Sequence, residues 1–267
     1  MVVGFADFTS TNTHSTPVEL LHGSDGAIAV ITDKEVYASH STTVSDEARS
    51  YAEGTPLLNE SVLRGQAAQP LAVGKCSPSA PYTLSSKWFA KEYSWSYNAS
   101  NQPSSGSLAQ IQIAAATIGN GSSTYCGNLS NGLSVKYRGT TSYASGVTVT
   151  GCGSGDGNNV IGWGDLSGST LGRACWWNTI AGYKKEADIK FDTSGRSWHI
   201  SSAVTSCTGD RYDLQGVAVH EIGHAVGLDH VAAGQPQVMQ PTLDACSMLW
   251  RQLGYGDQSG LRAHYGA

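Results

Sequence analysis

From Tyr93 through Trp95 to Tyr97, aromatic residues alternate with polar ones, the period of a strand buried on one face. A helix candidate follows at 105–118. Further strands are predicted at 133–137, 159–163, 171–177 and 187–191, separated by long Gly/Ser/Thr loops. Near the other end, Tyr212 to Val231 reads YDLQGVAVHEIGHAVGLDHV, where Asp213 can cap a helix whose first turns carry Leu214, Val217 and Val219. Residues 1–72 contain one plausible strand, 27–32 (AIAVIT), within polar and Ala/Gly-rich sequence. The pattern therefore divides the chain into an accessory stretch, 1–72, and a mixed α/β (α+β) domain, 73–267. There is no internal repeat and no heptad.

Composition narrows the classes. With 267 residues the chain can bury a sizeable core as one large domain or as a domain plus a short segment. A formal net charge of -5 with 16 basic residues and no Lys/Arg-rich run gives no electrostatic footprint for nucleic acid or an anionic membrane surface. No apolar run approaches the ~20 residues that cross a bilayer. The opening MVVGFA is too short for a complete signal peptide, so export implies either a leader missing ahead of it or a start codon placed late, with MVVGFA as a candidate remnant.

Six cysteines, Cys76, Cys126, Cys152, Cys175, Cys207 and Cys246, are even in number, widely spaced and free of any CxxC pair. Three disulfides in an oxidising, extracellular compartment is the favoured reading, with buried free thiols as the alternative; six cysteines allow about 15 pairings.

Chemistry concentrates in one segment. His220 and His224, four residues apart on the predicted helix, project from one face and can present two imidazole nitrogens to one ion. Gly227 sits where a helix ends with positive φ, so the chain can double back and bring His230 in as third ligand. Three histidines leave a coordination position open, the mark of a catalytic rather than a structural zinc. Glu221, beside His220, is then placed to act as general base toward water during attack on a carbonyl. His14, His22, His40, His199 and His264 lack such spacing and read as surface or packing residues.

The segment resembles the metzincins, whose HExxHxxGxxH signature is met by His220, Glu221, His224, Gly227 and His230. Met239 in QVMQPTL resembles the Met-turn beneath the metal. Pro241, two positions later, is similar to the matrixin (matrix-metalloproteinase-like) branch, where astacins and serralysins carry Tyr. The resemblance covers roughly 76–267, from the strand near Trp95 through LGRACWW and EADIKFD to GDQSGLRAHYG. It implies a metzincin catalytic domain with a twisted mixed sheet, an active-site helix and a C-terminal helix. It also implies a secreted, monomeric zinc endopeptidase acting on protein or peptide. Alternatives are a zinc amidase on non-protein amides and a catalytically silent binding module.

By the same resemblance, substrate lies along the edge strand at Leu171, Gly172 and Ala174, and Val217 with Pro241, Thr242 and Leu243 walls the pocket after the scissile bond. Gly216, four before His220, leaves that pocket open and deep, or else only permits close helix packing. Asp257 ties the C-terminal helix to the Met-turn backbone, or serves as a plain helix cap. The histidines that hold a second, structural zinc in vertebrate matrixins are matched by Arg173 and Lys190, so one zinc is expected, with calcium at Asp156, Asp188 and Asp192 as a possibility. Cys76 in GKCSPSAP lacks the flanks of the propeptide PRCGxPD segment and reads as structural, which leaves 1–72 a propeptide-like segment without a cysteine switch. Resemblance to bacterial matrixin-like sequences implies Cys76 to Cys246 and Cys126 to Cys152, which leaves Cys175 to Cys207.

Overall fold

A computed structural model describes residues 2–3, 23–32, 35–43, 74–85, 88–178, 183–202 and 207–267, with backbone pairing alone for the first three stretches and for Thr242. In chain order the strands are β1 (Val2–Val3), β2 (Gly23–Thr32), β3 (Glu35–Thr43), β4 (Thr83–Leu84), β5 (Glu92–Tyr97), β6 (Ser134–Thr140) and β7 (Val160–Gly164). They continue with β8 (Thr170–Asn178), β9 (Lys184–Asp192), β10 (Ser197–His199), β11 (Arg211–Asp213), β12 (Leu228–Asp229) and β13 (Thr242–Asp244). The helices are α1 (Ser107–Asn120), α2 (Leu214–Ala225) and α3 (Tyr255–Tyr265), with a 3-10 turn at Leu249–Arg251.

The predicted strands and helices form, with ends moved by a few residues. In β5 the alternation holds, with Tyr93, Trp95 and Tyr97 each at most 1% exposed, and each such burial contributes roughly 1.5–3 kcal/mol. Helix α1 buries Ile111, Ala114, Ala115 and Ile118 and stops at Gly121, whose φ of 59° closes the left-handed cap. Strands β7, β8 and β9 are buried nearly throughout, because α2 lies across β8 and β9 and also packs on α1.

The sheet runs in the order β13-β2-β3-β8-β9-β7-β5-β6, with β1 also on β8. The last five strands of that order, β8 to β6, are mixed: β8 is antiparallel to β9, and β9, β7, β5 and β6 are mutually parallel. The accessory stretch thus contributes strands to the same sheet, and the strand expected at 27–32 falls within β2. His14 and His22 lie outside the described residues.

All six cysteines are bonded, but in none of the expected pairs. The bridges are Cys76–Cys126, Cys152–Cys175 and Cys207–Cys246. Tertiary neighbours decide each one. Strand β8 carries Cys175 beneath the loop holding Cys152, and Cys246 turns back on β11, its N–H donating to Arg211 O at 2.7 Å.

Candidate metal centre

Helix α2 starts where Asp213 accepts from Gly216 N at 2.9 Å. The same carboxylate grips Arg251 through two bonds, Nε to Oδ2 at 2.9 Å and NH2 to Oδ1 at 2.6 Å, and Arg251 continues to the carbonyls of Ser201 and Ser202. The helix start and the segment after the Met-turn are therefore one buried ionic unit.

At the other end, the last four carbonyls of a helix have no partner within it. Here side chains from other elements reach the carbonyls of 224–227, the last two residues of α2 and the two that follow it. Lys184 Nζ donates to His224 O and Ala225 O, Tyr265 OH to Val226 O at 2.6 Å, and His264 Nε2 to Gly227 O at 2.9 Å. Gly227 has φ of 106°, and a Cβ there would stand 2.9 Å from Trp88 Cβ and 3.0 Å from the His264 ring. Only glycine fits both the turn and the close approach.

That turn sends β12 back across the helix and brings His230 to its two partners. The ligating atoms of His220, His224 and His230 lie within 4.8 Å of one another. His230 Nε2 is 3.1 Å from His220 Nε2 and 2.9 Å from His224 Nε2. The rings are oriented from behind: His220 Nδ1 donates to Val238 O at 2.7 Å and His224 Nδ1 to Leu228 O at 3.1 Å. A carbonyl only accepts, so both Nδ1 atoms carry the proton and both Nε2 atoms present lone pairs to one point. Burial pushes His220 down to about 4 and, with the neighbouring histidines adding repulsion, drives His224 and His230 well below the usual imidazole range. Three neutral imidazoles whose acceptor nitrogens crowd together fit a divalent cation. The spacing is near the ~3.3 Å edge of a zinc tetrahedron with Zn–N bonds of about 2.0–2.1 Å.

Met239 lies under this group. A Cβ on Gly223, between the two helical ligands, would be 2.6 Å from Met239 Sδ, so the missing side chain is what lets the sulfur pack there. Asp257 holds the turn in place. Its carboxylate accepts from Val238 N at 2.8 Å, Met239 N at 3.3 Å and Gly254 N at 2.8 Å, so the expected tie to the Met-turn and the cap of α3 are both made. Burial raises Asp257 above the usual carboxylate range, against the opposing pull of nearby Lys75 and the three N–H donors.

The matrixin model matches residues 161–266. That stretch is similar to the matrixin family. The matched stretch runs from β7 to α3, so the three histidines, Met239 and Asp257 of the matrixin-like domain all fall inside it. No curated protein matches the sequence. Among solved structures, metalloproteinase-II from Bacteroides fragilis is similar at 10% identity and a TM-score of 0.36, covering 90% of this chain and 80% of that one.

The remaining expected residues of the matrixin-like domain are distributed as follows. Glu221 is 0% exposed and faces β8, where a Cβ on Gly172 would come 2.8 Å from its Oε1. Leu171, Ala174, Val217 and Leu243 are buried, and Pro241 is partly exposed. At Gly216 a Cβ would lie 3.1 Å from Asp213 Oδ2 and 3.2 Å from Trp250 Cβ. The open floor expected at this position is therefore filled, and the glycine serves the close approach of Trp250.

Arg173 and Lys190 are opposite one another across β8 and β9. Arg173 donates to Thr148 O and Val149 O, and Lys190 to Val147 O, so two cations and the Cys152–Cys175 bridge fasten this loop to the sheet. Asp156, Asp188 and Asp192 do not gather as one group of three, although Asp156 lies near enough to Asp188 to repel it: Asp156 accepts from Asn158 N, Asp188 from Gly146 N and Val160 N, and Asp192 from Leu166 N and Ser194 N. Among the described residues the three histidines are the one metal-ligating group of three. Sequence reasoning missed Lys184, Tyr265, Arg251 and His264. The last was read as a surface or packing residue, whereas it is a partner of the metal turn.

Proposed function

We propose that this chain is a secreted zinc-dependent endopeptidase, with one zinc held by His220, His224 and His230 and Glu221 as general base. The observation that carries the reading is the set of Nε2 atoms facing one point, two of them fixed by Nδ1–H bonds to Val238 O and Leu228 O, next to a buried glutamate. Zinc bound there would supply a Lewis acid that polarises a peptide carbonyl and acidifies water. Glu221 then takes the proton from the attacking water on a carboxylate oxygen and delivers it to the leaving amine nitrogen. The low-dielectric surroundings of Leu171, Val217 and Leu243 exclude competing water and strengthen each charge interaction.

An extended peptide would add to β8 through main-chain bonds at Leu171, Gly172 and Ala174, with the side chain after the scissile bond directed to Val217 and 241–243. Secretion is supported by three disulfides; no helix among the described residues is long and apolar enough to cross a membrane. Glu221→Ala tests the mechanism. Casein-type and peptide hydrolysis should be lost while bound zinc stays near one per chain, since the glutamate is not a ligand. Retained turnover refutes the assignment of the base, and hydrolysis of a peptidoglycan fragment in place of casein points to an amidase.

A further inference from the structure

Lys75 is 0% exposed, and its Nζ has no hydrogen-bond acceptor among the described residues. Taking an ammonium out of water without a bonded partner is costly, and burial pushes this one down to about 8. Two groups act on it in return. The Nζ stands 5.1 Å from the centre of the Trp250 ring, within the range of a cation–π contact. The buried Asp257 carboxylate pulls the ammonium back up, so the two attract as opposite charges without a direct bond.

The neighbouring chain holds the lysine in place. Cys76 is bridged to Cys126, Lys75 O accepts from Gln237 Nε2 at 3.2 Å, and Gln237 Oε1 accepts from Gly256 N at 2.9 Å. Gln237 precedes Val238 and Gly256 precedes Asp257, so Lys75 is pinned to both segments that the Asp257 carboxylate joins. That carboxylate has three N–H groups to satisfy, from Val238, Met239 and Gly254. As an anion it offers about four lone-pair sites, whereas the neutral acid gives one oxygen to its own proton. Burial favours the neutral acid, and among the influences opposing burial the Lys75 charge comes ahead of the three N–H groups.

We propose that Lys75 is the counter-ion of Asp257 and a positioning residue of the metal centre, acting on His220 through Asp257 and Val238. The effect on zinc rests on the reading of the metal centre given above; the pairing of Lys75 with Asp257 does not. A lysine kept only for packing contributes through its methylene stem, which methionine reproduces without the charge. Lys75→Met therefore leaves zinc affinity as it is if packing is the whole role. If the counter-ion is lost, the turn at 238–239 loosens and the His220 ring loosens with it.

The test uses the full chain with Lys75→Met, Asp257→Asn and the two combined. Lys75→Gln repeats the first arm should Lys75→Met not unfold cooperatively. Zinc affinity is read by competition with a chromophoric chelator, and amide exchange at Val238 and Met239 is read in the zinc-free chain. In Lys75→Met, zinc affinity should fall about tenfold and exchange at both amides should quicken about tenfold or more. Added to Asp257→Asn, the same change should alter either readout by less than about twofold, because the carboxylate it serves is gone. Unchanged exchange in Lys75→Met overturns the pairing, as does a full additive loss in the double variant. Faster exchange with zinc affinity unchanged overturns the route to His220. Faster exchange with no zinc bound by either the native chain or the variant supports the pairing and counts against the metal reading instead.

Discussion

Replacing Asp257 by Asn should weaken zinc binding even though the side chain touches no metal ligand. Val238 carries the connection: its N–H donates to Asp257 Oδ2 while its carbonyl accepts from His220 Nδ1. The carboxylate therefore sets the position of the carbonyl that sets the His220 ring. Asp257 accepts three backbone N–H groups, from Val238, Met239 and Gly254, and bonds to a charged group contribute roughly 1.5–3 kcal/mol each. Asn keeps one accepting oxygen and turns an NH2 toward N–H groups that need an acceptor. The full loss is offset in part, because burial already holds the Asp257 carboxyl above its usual range. A net cost of about 2–4 kcal/mol follows, read as a lower urea midpoint at unchanged slope. Loss of ring orientation should lower zinc affinity about 10–100-fold, measured by competition with a chromophoric chelator. Stability lost with zinc affinity intact would refute the relay through Val238.

Gly216→Leu should destabilise by about 1–3 kcal/mol in thermal unfolding, since a side chain must displace Trp250 Cβ, 3.2 Å from where a Cβ would stand; a melting temperature equal to the native one would restore the open-pocket reading. Asp188 gives a pH signature. Burial raises it from 3.8 to about 7, against the N–H groups of Gly146 and Val160 and helped by repulsion from Glu186 and Asp156. A carboxyl raised on folding contributes stability that is fully present below its unfolded pKa, here 3.8, and is lost as pH rises through about 7. Urea unfolding between pH 5 and pH 8 should therefore show the native chain losing about 1–3 kcal/mol relative to Asp188→Asn, and parallel profiles for the two would contradict the burial argument.

Much of the domain was legible because its signals are local. The alternation at Tyr93, Trp95 and Tyr97 is a property of consecutive residues, as is the four-residue spacing of His220 and His224 on a helix capped by Asp213. The turn at Gly227 was legible for the same reason, a positive φ three residues before the third ligand. Pairings between distant segments were not. The disulfides depend on which loops β8 and β11 bring together, and widely spaced cysteines hold no information about that. At Gly216 the sequence left an open pocket floor and close packing as alternatives, and the choice depends on Trp250, 34 positions later, which meets the glycine together with the capping Asp213. The β2 strand was visible as an apolar run, but its docking on β13 is a register between segments about two hundred residues apart.

The centre is more than its signature, because the signature leaves the helix end open. His224 and Gly227 belong to the last turn and the bend after it, where the helical hydrogen-bond pattern ends and the backbone tends to fray. In this chain Lys184 from β9 and His264 with Tyr265 from α3 close all four carbonyls from 224 to 227. Asp257, on the first turn of the same α3, fixes the turn whose Val238 carbonyl orients His220. One C-terminal helix thus acts on two of the three ligands by separate routes, through the bend leading to His230 and through Val238. Neither route passes through a side chain that touches the metal. For this reason the ligand set can be read from a short motif, while its geometry depends on residues from β9 to the last turn of α3.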